Sequence, residues 1–531
     1  MMSDAVLPLL IAVPLLAATI PLLAGLWFDG AGWPVAMGTS LLVASLAGWL
    51  TWAVSPWSAT ESQRLVHELA GYPAPYGIEL VGDGLSAVLA LLISVVAVAV
   101  LIYGRTTGPQ SNAFYSGYLL LTGGLLGMAL TGDLFNLFVF LEIVGLVSYA
   151  LIASNDDGLA AYGALKYLFL GTTGASLYLI GVGYAFVATG TLNMGDMAAE
   201  LATVGYGDPL VQAAFGFILV GFMLKIAIFP LHTWQPDAYT YAPDTVTAYI
   251  SALVSTTAAY ALIRIAYDVF TVDFFAANPL ITDAVLLVAS ISIVVGSLLA
   301  LLQTEIKRVF AYSSVAQFGM ILAAIGLNSE TALFGAVIHL VGHGLMKAAL
   351  FMGAGILSTA YNATTVSDYA GLAKREPITS GMMAITGLAL VGIPPSVGTL
   401  GKWFIALGAI EEGSWSVAAV IFVSTLLTLT YVGRLIETLY FNQPADNMAE
   451  KTTTSTDTDD TTDPVADDGS AADNDSVADD SSMVADGGAA SPVATERLIV
   501  VVILALSTVA LFAAADPLNA LLDPVFGRFF A

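Results

Sequence analysis

Runs of about twenty apolar residues, long enough for a helix to cross the hydrocarbon core of a bilayer, recur along the chain from Leu7 to Phe512. Fourteen such runs start near Leu7, Val35, Gly84, Tyr115, Leu134, Gly163, Val211, Val246, Leu280, Val309, Thr331, Gly381, Val417 and Leu498. Within them the 3.6-residue period is weak, as expected for helices covered by apolar neighbours on every side. Two runs are interrupted. Pro230, Pro236 and Pro243 break the stretch that begins GFMLKIAIFP, and Pro394, Pro395, Gly398 and Gly401 break GIPPSVGTLGKWFIALGA. Proline removes a backbone donor, and a broken helix survives at membrane depth only where it lines protein or water. The pattern predicts an all-α polytopic membrane protein of about 14 transmembrane helices, two of them interrupted. The first run follows Asp4 with no basic flank, so it reads as a membrane helix and not as a removed signal peptide.

One stretch departs from this pattern. Residues 445–497 are Asp, Ser, Thr, Ala and Gly with almost no large apolar groups, too few to offset the entropy of folding, and read as an acidic disordered linker. Residues 1–444 then hold thirteen spans, with the core at about 115–410, and residues 498–531 hold the last.

Composition agrees. Charged residues make up 11% of the 531, hydrophobic residues 57%, and mean hydropathy is +0.84. A soluble protein would carry about 25% charged residues. The net charge is −26; the segment 451–495, with eleven Asp and one Lys, supplies −10 and leaves −16 elsewhere. Acidity outside the linker suggests loops adapted to high salt, as in halophilic cells. Cysteine is absent, which excludes disulfides and thiolate metal sites, and no phosphate-binding Gly-rich loop appears. Nothing points to nucleic acid. Arg105, Lys307, Arg308, Lys374, Arg375, Lys451 and Arg497 fall on loops opposite the N-terminus, against Arg64, Arg264 and Arg528 on its own side. The positive-inside rule then puts both termini outside the cell membrane and the acidic linker in the cytoplasm.

Charge inside an apolar run costs roughly 2.5–3.5 kcal/mol per residue on insertion scales, so a retained one marks a function. Glu142 sits well inside its span; Asp133, near the start, is either a second carboxylate supporting proton transfer or a helix-terminus cap. Lys225 stands next to the first break, with His232 and Asp237 just beyond it. His339, His343 and Lys347, spaced i, i+4, i+8, lie along one face of a helix. Histidine titrates near neutral pH and suits proton hand-off; as a metal site the pair lacks an evident third ligand. Lys402 follows the second break. Lys166, a few residues into its span, either approaches Glu142 across the preceding loop or anchors at the interface. Two broken spans, each with a lysine and about five spans apart, are similar to the paired broken helices of repeat-built transporters.

The stretches TGDLFNLFVFLE, KIAIFPLHTWQPDA, IKRVFAYSSVAQFGM, HLVGHGLMKAALF and GIPPSVGTLGKWF together resemble the proton-conducting antiporter-type subunits of Mrp sodium/proton antiporters, respiratory complex I and related hydrogenases. The segment TGTLNMGDMA and a lysine at 402 most resemble the D-type member of the Mrp set. The resemblance implies an antiporter-like inverted-repeat fold and a cofactor-free channel subunit working with other membrane subunits. It implies proton-transfer roles for Glu142 and Lys225 as a pair, for His339, His343 and Lys347 as a polar axis, and for Lys402 on the exit side. One position departs: the family usually places a lysine four residues before a Tyr and eight before an Arg, and here Thr256 stands there, in LVSTTAAYALIR. Water on the hydroxyls of Ser255, Thr256 and Thr257 can bridge the gap; alternatively the route is interrupted there.

The expected mechanism is proton uptake near Lys225, controlled by a Glu142 charge about 4 Å away. Transfer then runs through water, His343 and Lys347 to Lys402, with sodium moving through neighbouring subunits. The alternatives are a membrane-arm subunit of complex I or a related hydrogenase, and a non-conducting scaffold.

Overall fold

The computed structural model describes residues 5–28, 30–58, 63–155, 157–443 and 493–530; residues 444–492, which hold most of the acidic segment and Lys451, lie outside them. Among the described residues, twelve helices are long and apolar enough to cross a membrane. They are α1 (Val6–Ala24), α2 (Gly32–Ala53), α3 (Gly84–Tyr103), α4 (Asn112–Leu130), α5 (Leu134–Ile152), α6 (Gly158–Thr189), α10 (Asp244–Ala277), α11 (Pro279–Leu302), α12 (Ile306–Leu327), α13 (Glu330–Tyr361), α16 (Trp415–Tyr440) and α17 (Thr495–Phe529). Two shorter apolar helices, α8 (Pro209–Lys225) and α14 (Pro377–Val391), occupy the places of the two interrupted spans. Their second halves are α9 (Trp234–Tyr241) and α15 (Val397–Glu411). Short α7 (Met194–Val204) and an antiparallel hairpin of β1 (Leu65–Glu68) and β2 (Glu79–Gly82) cover one end of the bundle.

The order of helices repeats. Spans α4, α5, α6, α8–α9 and α10 are followed by α11, α12, α13, α14–α15 and α16. In each set the third helix has 32 residues and the fourth is broken. A set of five spans reverses the side on which the next begins, so the second copy is inverted relative to the first.

Each break is held by neighbours that satisfy the freed backbone groups, as a bilayer demands. In the first, Ala227 has φ +56. The Trp234 indole donates to the Leu224 carbonyl at 2.8 Å, Ser255 Oγ donates to the Lys225 carbonyl at 3.2 Å, and the Phe229 N–H donates to Ser292 Oγ at 3.1 Å. In the second, Gly392 has φ +96, and the loose carbonyls of Leu390 and Val391 accept from Lys402 Nζ at 2.8 and 3.1 Å. The halves then meet closely, because a Cβ on Gly398 would sit 1.9 Å from the Ala389 carbonyl oxygen. Gly398→Ala is therefore expected to force these halves apart at a cost of about 1–3 kcal/mol. A fall of several degrees in the melting temperature of the detergent-solubilised protein would show it; an unchanged melting curve would contradict this packing.

Candidate functional site

Lys225 closes α8 at the first break and is 5% exposed. Its Nζ has no hydrogen-bond partner among the described residues, and the nearest opposite charge is Glu142 Oε1 on α5, 4.0 Å away. Gly145 lets the two approach: a Cβ there would lie 3.4 Å from Lys225 Nζ and 3.0 Å from the Tyr149 hydroxyl. A buried ammonium without hydrogen bonds is poorly stabilised, and the Glu142 carboxylate is its nearest opposite charge.

The second part of the site is the face of α13. His339, His343 and Lys347 are all fully buried and turn toward antiparallel α12. His339 Nε2 meets Gln317 Oε1 at 2.8 Å, His343 Nε2 meets Ser314 Oγ at 3.3 Å, and Lys347 Nζ donates to the Phe310 carbonyl at 2.6 Å and to Ser313 Oγ. The i, i+4, i+8 spacing thus becomes a ladder whose other rail is Gln317, Ser314 and Ser313. Sequence reasoning missed that rail. Its signal was present, since Ser314 and Ser313 stand three and four residues before Gln317 inside an apolar run. The third part is Lys402. Gly401 backs onto His339, where a Cβ would stand 2.6 Å from the histidine Cβ. His339 is therefore the ladder's rung next to Lys402, and Lys347 lies at the far end. This corrects the expected sequence, which ran from His343 and Lys347 directly to Lys402.

Helix α10 joins the parts. Ser255 touches the break at Lys225, as above. Gly344 packs on the Ala252 carbonyl and Gly355 on Asp244, so α10 and α13 run antiparallel and Thr256 lies level with the 339–343 stretch. The Thr256 and Thr257 hydroxyls are buried without hydrogen-bond partners among the described residues.

The supporting residues separate. Asp133 caps α5, accepting from the Asn136 N–H at 2.7 Å. Lys166 does not approach Glu142; its Nζ lies 2.7 Å from Asp237 Oδ2. Gly163, one turn earlier, packs against the Asp237 backbone, and this aims Lys166 at the Asp237 carboxylate. Asp237 also holds Arg308 at 2.9 Å, and Lys307 pairs with Asp244 at 2.6 Å, so this end of the bundle carries an ion-pair network between α6, α9, α10 and α12. His232 is 5% exposed between Phe229 and Tyr312, its Nδ1 without a partner among the described residues.

Comparison with known proteins fits this architecture. The family described as NADH:quinone oxidoreductase/Mrp antiporter, TM, matches residues 131–428, a range that includes Glu142, Lys225, the ladder and Lys402. The chain is 43% identical over 380 residues to the N-type subunit of the NADH-quinone oxidoreductase of Desulforudis audaxviator, covering 70% of this chain and 74% of that one. It is 32% identical over 370 residues to the D-type subunit of the Na(+)/H(+) antiporter of Bacillus subtilis, covering 69% and 74%. Among solved structures, a chain of an archaeal membrane-bound sulfane sulfur reductase superposes with a TM-score of 0.83 at 29% identity, covering 99% of this chain and 97% of that one. A chain of the Mrp complex of a Dietzia species shares the fold, with a TM-score of 0.81 at 24% identity and 99% of both chains covered. The broken helices, the inverted repeat and these matches together place the chain in the family of NADH:quinone oxidoreductase and Mrp antiporter membrane subunits.

Proposed function

We propose that this chain is the proton-translocating subunit of a multisubunit monovalent cation/proton antiporter, with sodium carried by neighbouring subunits. A proton taken up from the cytoplasmic side reaches Lys225, where the charge on Glu142 decides whether it stays. Water ordered on the hydroxyls of residues 255–257 stands in for the missing lysine at position 256. The proton then passes along His343 and His339, with Lys347 setting the field, to Lys402, and leaves on the outer side where both termini lie. No cofactor takes part. The observation that carries the reading is the buried Lys225 Nζ, without a hydrogen-bond partner among the described residues and 4.0 Å from Glu142. An ammonium kept in oil without fixed partners is arranged to change its charge and not to glue helices.

The test is growth in sodium and lithium of a cell lacking its own antiporters, supplied with the whole gene cluster. The intact cluster is expected to restore growth, and Lys402→Ala to reduce it to the level of the empty host. Full growth with both Lys225→Ala and Lys402→Ala would make the chain a scaffold. The identity to an N-type subunit of an NADH-quinone oxidoreductase supports a second reading, a membrane-arm proton-pumping subunit. It predicts no rescue, with neighbouring genes for quinone- and iron–sulfur-binding subunits.

A further inference from the structure

A polar cavity enters the protein at the end of the bundle where α3 begins and α17 ends. Its walls include Glu79, Asn193 and Asp268, together with the buried Asp83, Tyr260 and Arg264. Asp83 is fully buried and paired with two arginines, Arg264 and, at 2.6 Å, Arg528. Arg264 is 7% exposed and also holds Asp268 at 2.9 Å, and its Nε donates to the Tyr260 hydroxyl at 2.9 Å. Tyr260 in turn donates to the Ala129 carbonyl at 2.6 Å. One side chain is thus clamped by the start of α3, the C-terminal turns of α10 and, through Asp83, the C-terminal helix.

Thr256, Tyr260 and Arg264 are spaced i, i+4, i+8 on α10 and share a face. Arg264 therefore stands about 12 Å along the helix from the unpartnered Thr256 hydroxyl, with Tyr260 between. The cavity is lined by Arg264 and Tyr260 together. The hydroxyls beside Lys225 lie one tyrosine from this cavity, and the Arg264 guanidinium sits on that tyrosine's hydroxyl. Arginine is always charged and cannot pass a proton on, and a fixed positive charge in a narrow polar passage repels protons. A buried charge cluster is seldom more stabilising than apolar packing, so its retention here points to a role other than stability.

We propose that Arg264 is a fixed-charge plug that bars protons from leaving through the first five-span unit. Protons arriving at Lys225 must then move sideways to α13 and leave by Lys402; this rests on the route proposed above. The plug makes Lys402 the single exit and so keeps proton flow coupled.

The test uses the whole complex in sodium-free vesicles, with an imposed pH gradient followed by an internal pH-sensitive dye. Arg264→Lys keeps the charge and the Asp83 pair but introduces a proton that can be released. It is expected to raise passive proton leak at least tenfold. The leak should vanish when Lys225→Ala is added and persist when Lys402→Ala is added. Asp268→Asn, at a partly exposed partner, frees one arm of the guanidinium and should raise leak severalfold, which keeps the test open should Arg264→Lys fail to assemble. Parental leak in the assembled variants, or leak that survives Lys225→Ala, overturns the plug. Full exchange by Lys402→Ala alone would instead sink the Lys402 exit and leave the leak comparison to be read separately.

Discussion

Glu142→Gln is expected to reduce proton-coupled transport more than tenfold while the complex assembles at normal yield. At 4.0 Å the carboxylate attracts a charge on Lys225 by about 4 kcal/mol at an effective dielectric constant near 20. Glutamine keeps the shape and the hydrogen-bonding capacity and removes only the charge. Its folding cost is small, because the Glu142 side chain is 25% exposed and makes no short ion pair. Sodium- and lithium-resistant growth, with complex yield measured on the same membranes, checks both halves. Full exchange by an assembled Glu142→Gln complex would remove this carboxylate from the mechanism.

Much of the fold was legible because the bilayer imposes a length on every span. Fourteen apolar runs predicted from residue pattern correspond to twelve full-length helices and two short ones. The short ones lie where Pro230 and Pro394–Pro395 forecast interruptions. Proline chemistry acts locally, so it could be read from the chain alone. The ladder on α13 was half legible for the same reason: helical spacing puts His339, His343 and Lys347 on one face, but says nothing about which helix that face meets. Gln317, Ser314 and Ser313 became partners only when α12 packed antiparallel beside it. Lys166 shows the limit most clearly. Loop length allowed it to reach Glu142, and the close approach of Gly163 to the Asp237 backbone turned it elsewhere. The Asp83–Arg264–Arg528 cluster joins residues up to 445 positions apart, and no local pattern announces such a contact.

Charge at depth occurs in two forms here, which differ in how firmly the charges are held. Arg264 and Asp83 are locked by several charged partners, and Asp237 is shared between Lys166 and Arg308. Among the described residues, Lys225 is held by one carboxylate at 4.0 Å and Lys402 by backbone carbonyls. Locked groups close paths and fix helices. Loosely held groups can change charge without the bundle coming apart. The two sets lie at different places: the locked pairs towards the ends of the bundle, the loose lysines at the breaks, where unwound backbone meets the interior.

Lys347→Met gives the sharpest separation of stability from transport. Lys347 is fully buried, and an ion taken wholly out of water carries a penalty of several kcal/mol that two neutral oxygens offset only in part. Methionine has a similar length and no charge to desolvate. The groups it abandons keep a partner, because Ser313 Oγ donates to the Phe310 carbonyl at 2.9 Å on its own account. The variant is therefore expected to assemble with a melting temperature equal to or a few degrees above the parent. Transport is expected to fall to the level of vesicles without the complex, since the ladder loses the amine that sets the field beside His343. Were Lys347 simply a packing element between α12 and α13, the two measurements would move together: a methionine that packs as well would transport as well. Dye-monitored proton uptake and a thermal-stability scan on the same purified complex decide it. Retained transport at full stability would show that the histidines work without the Lys347 amine beside them.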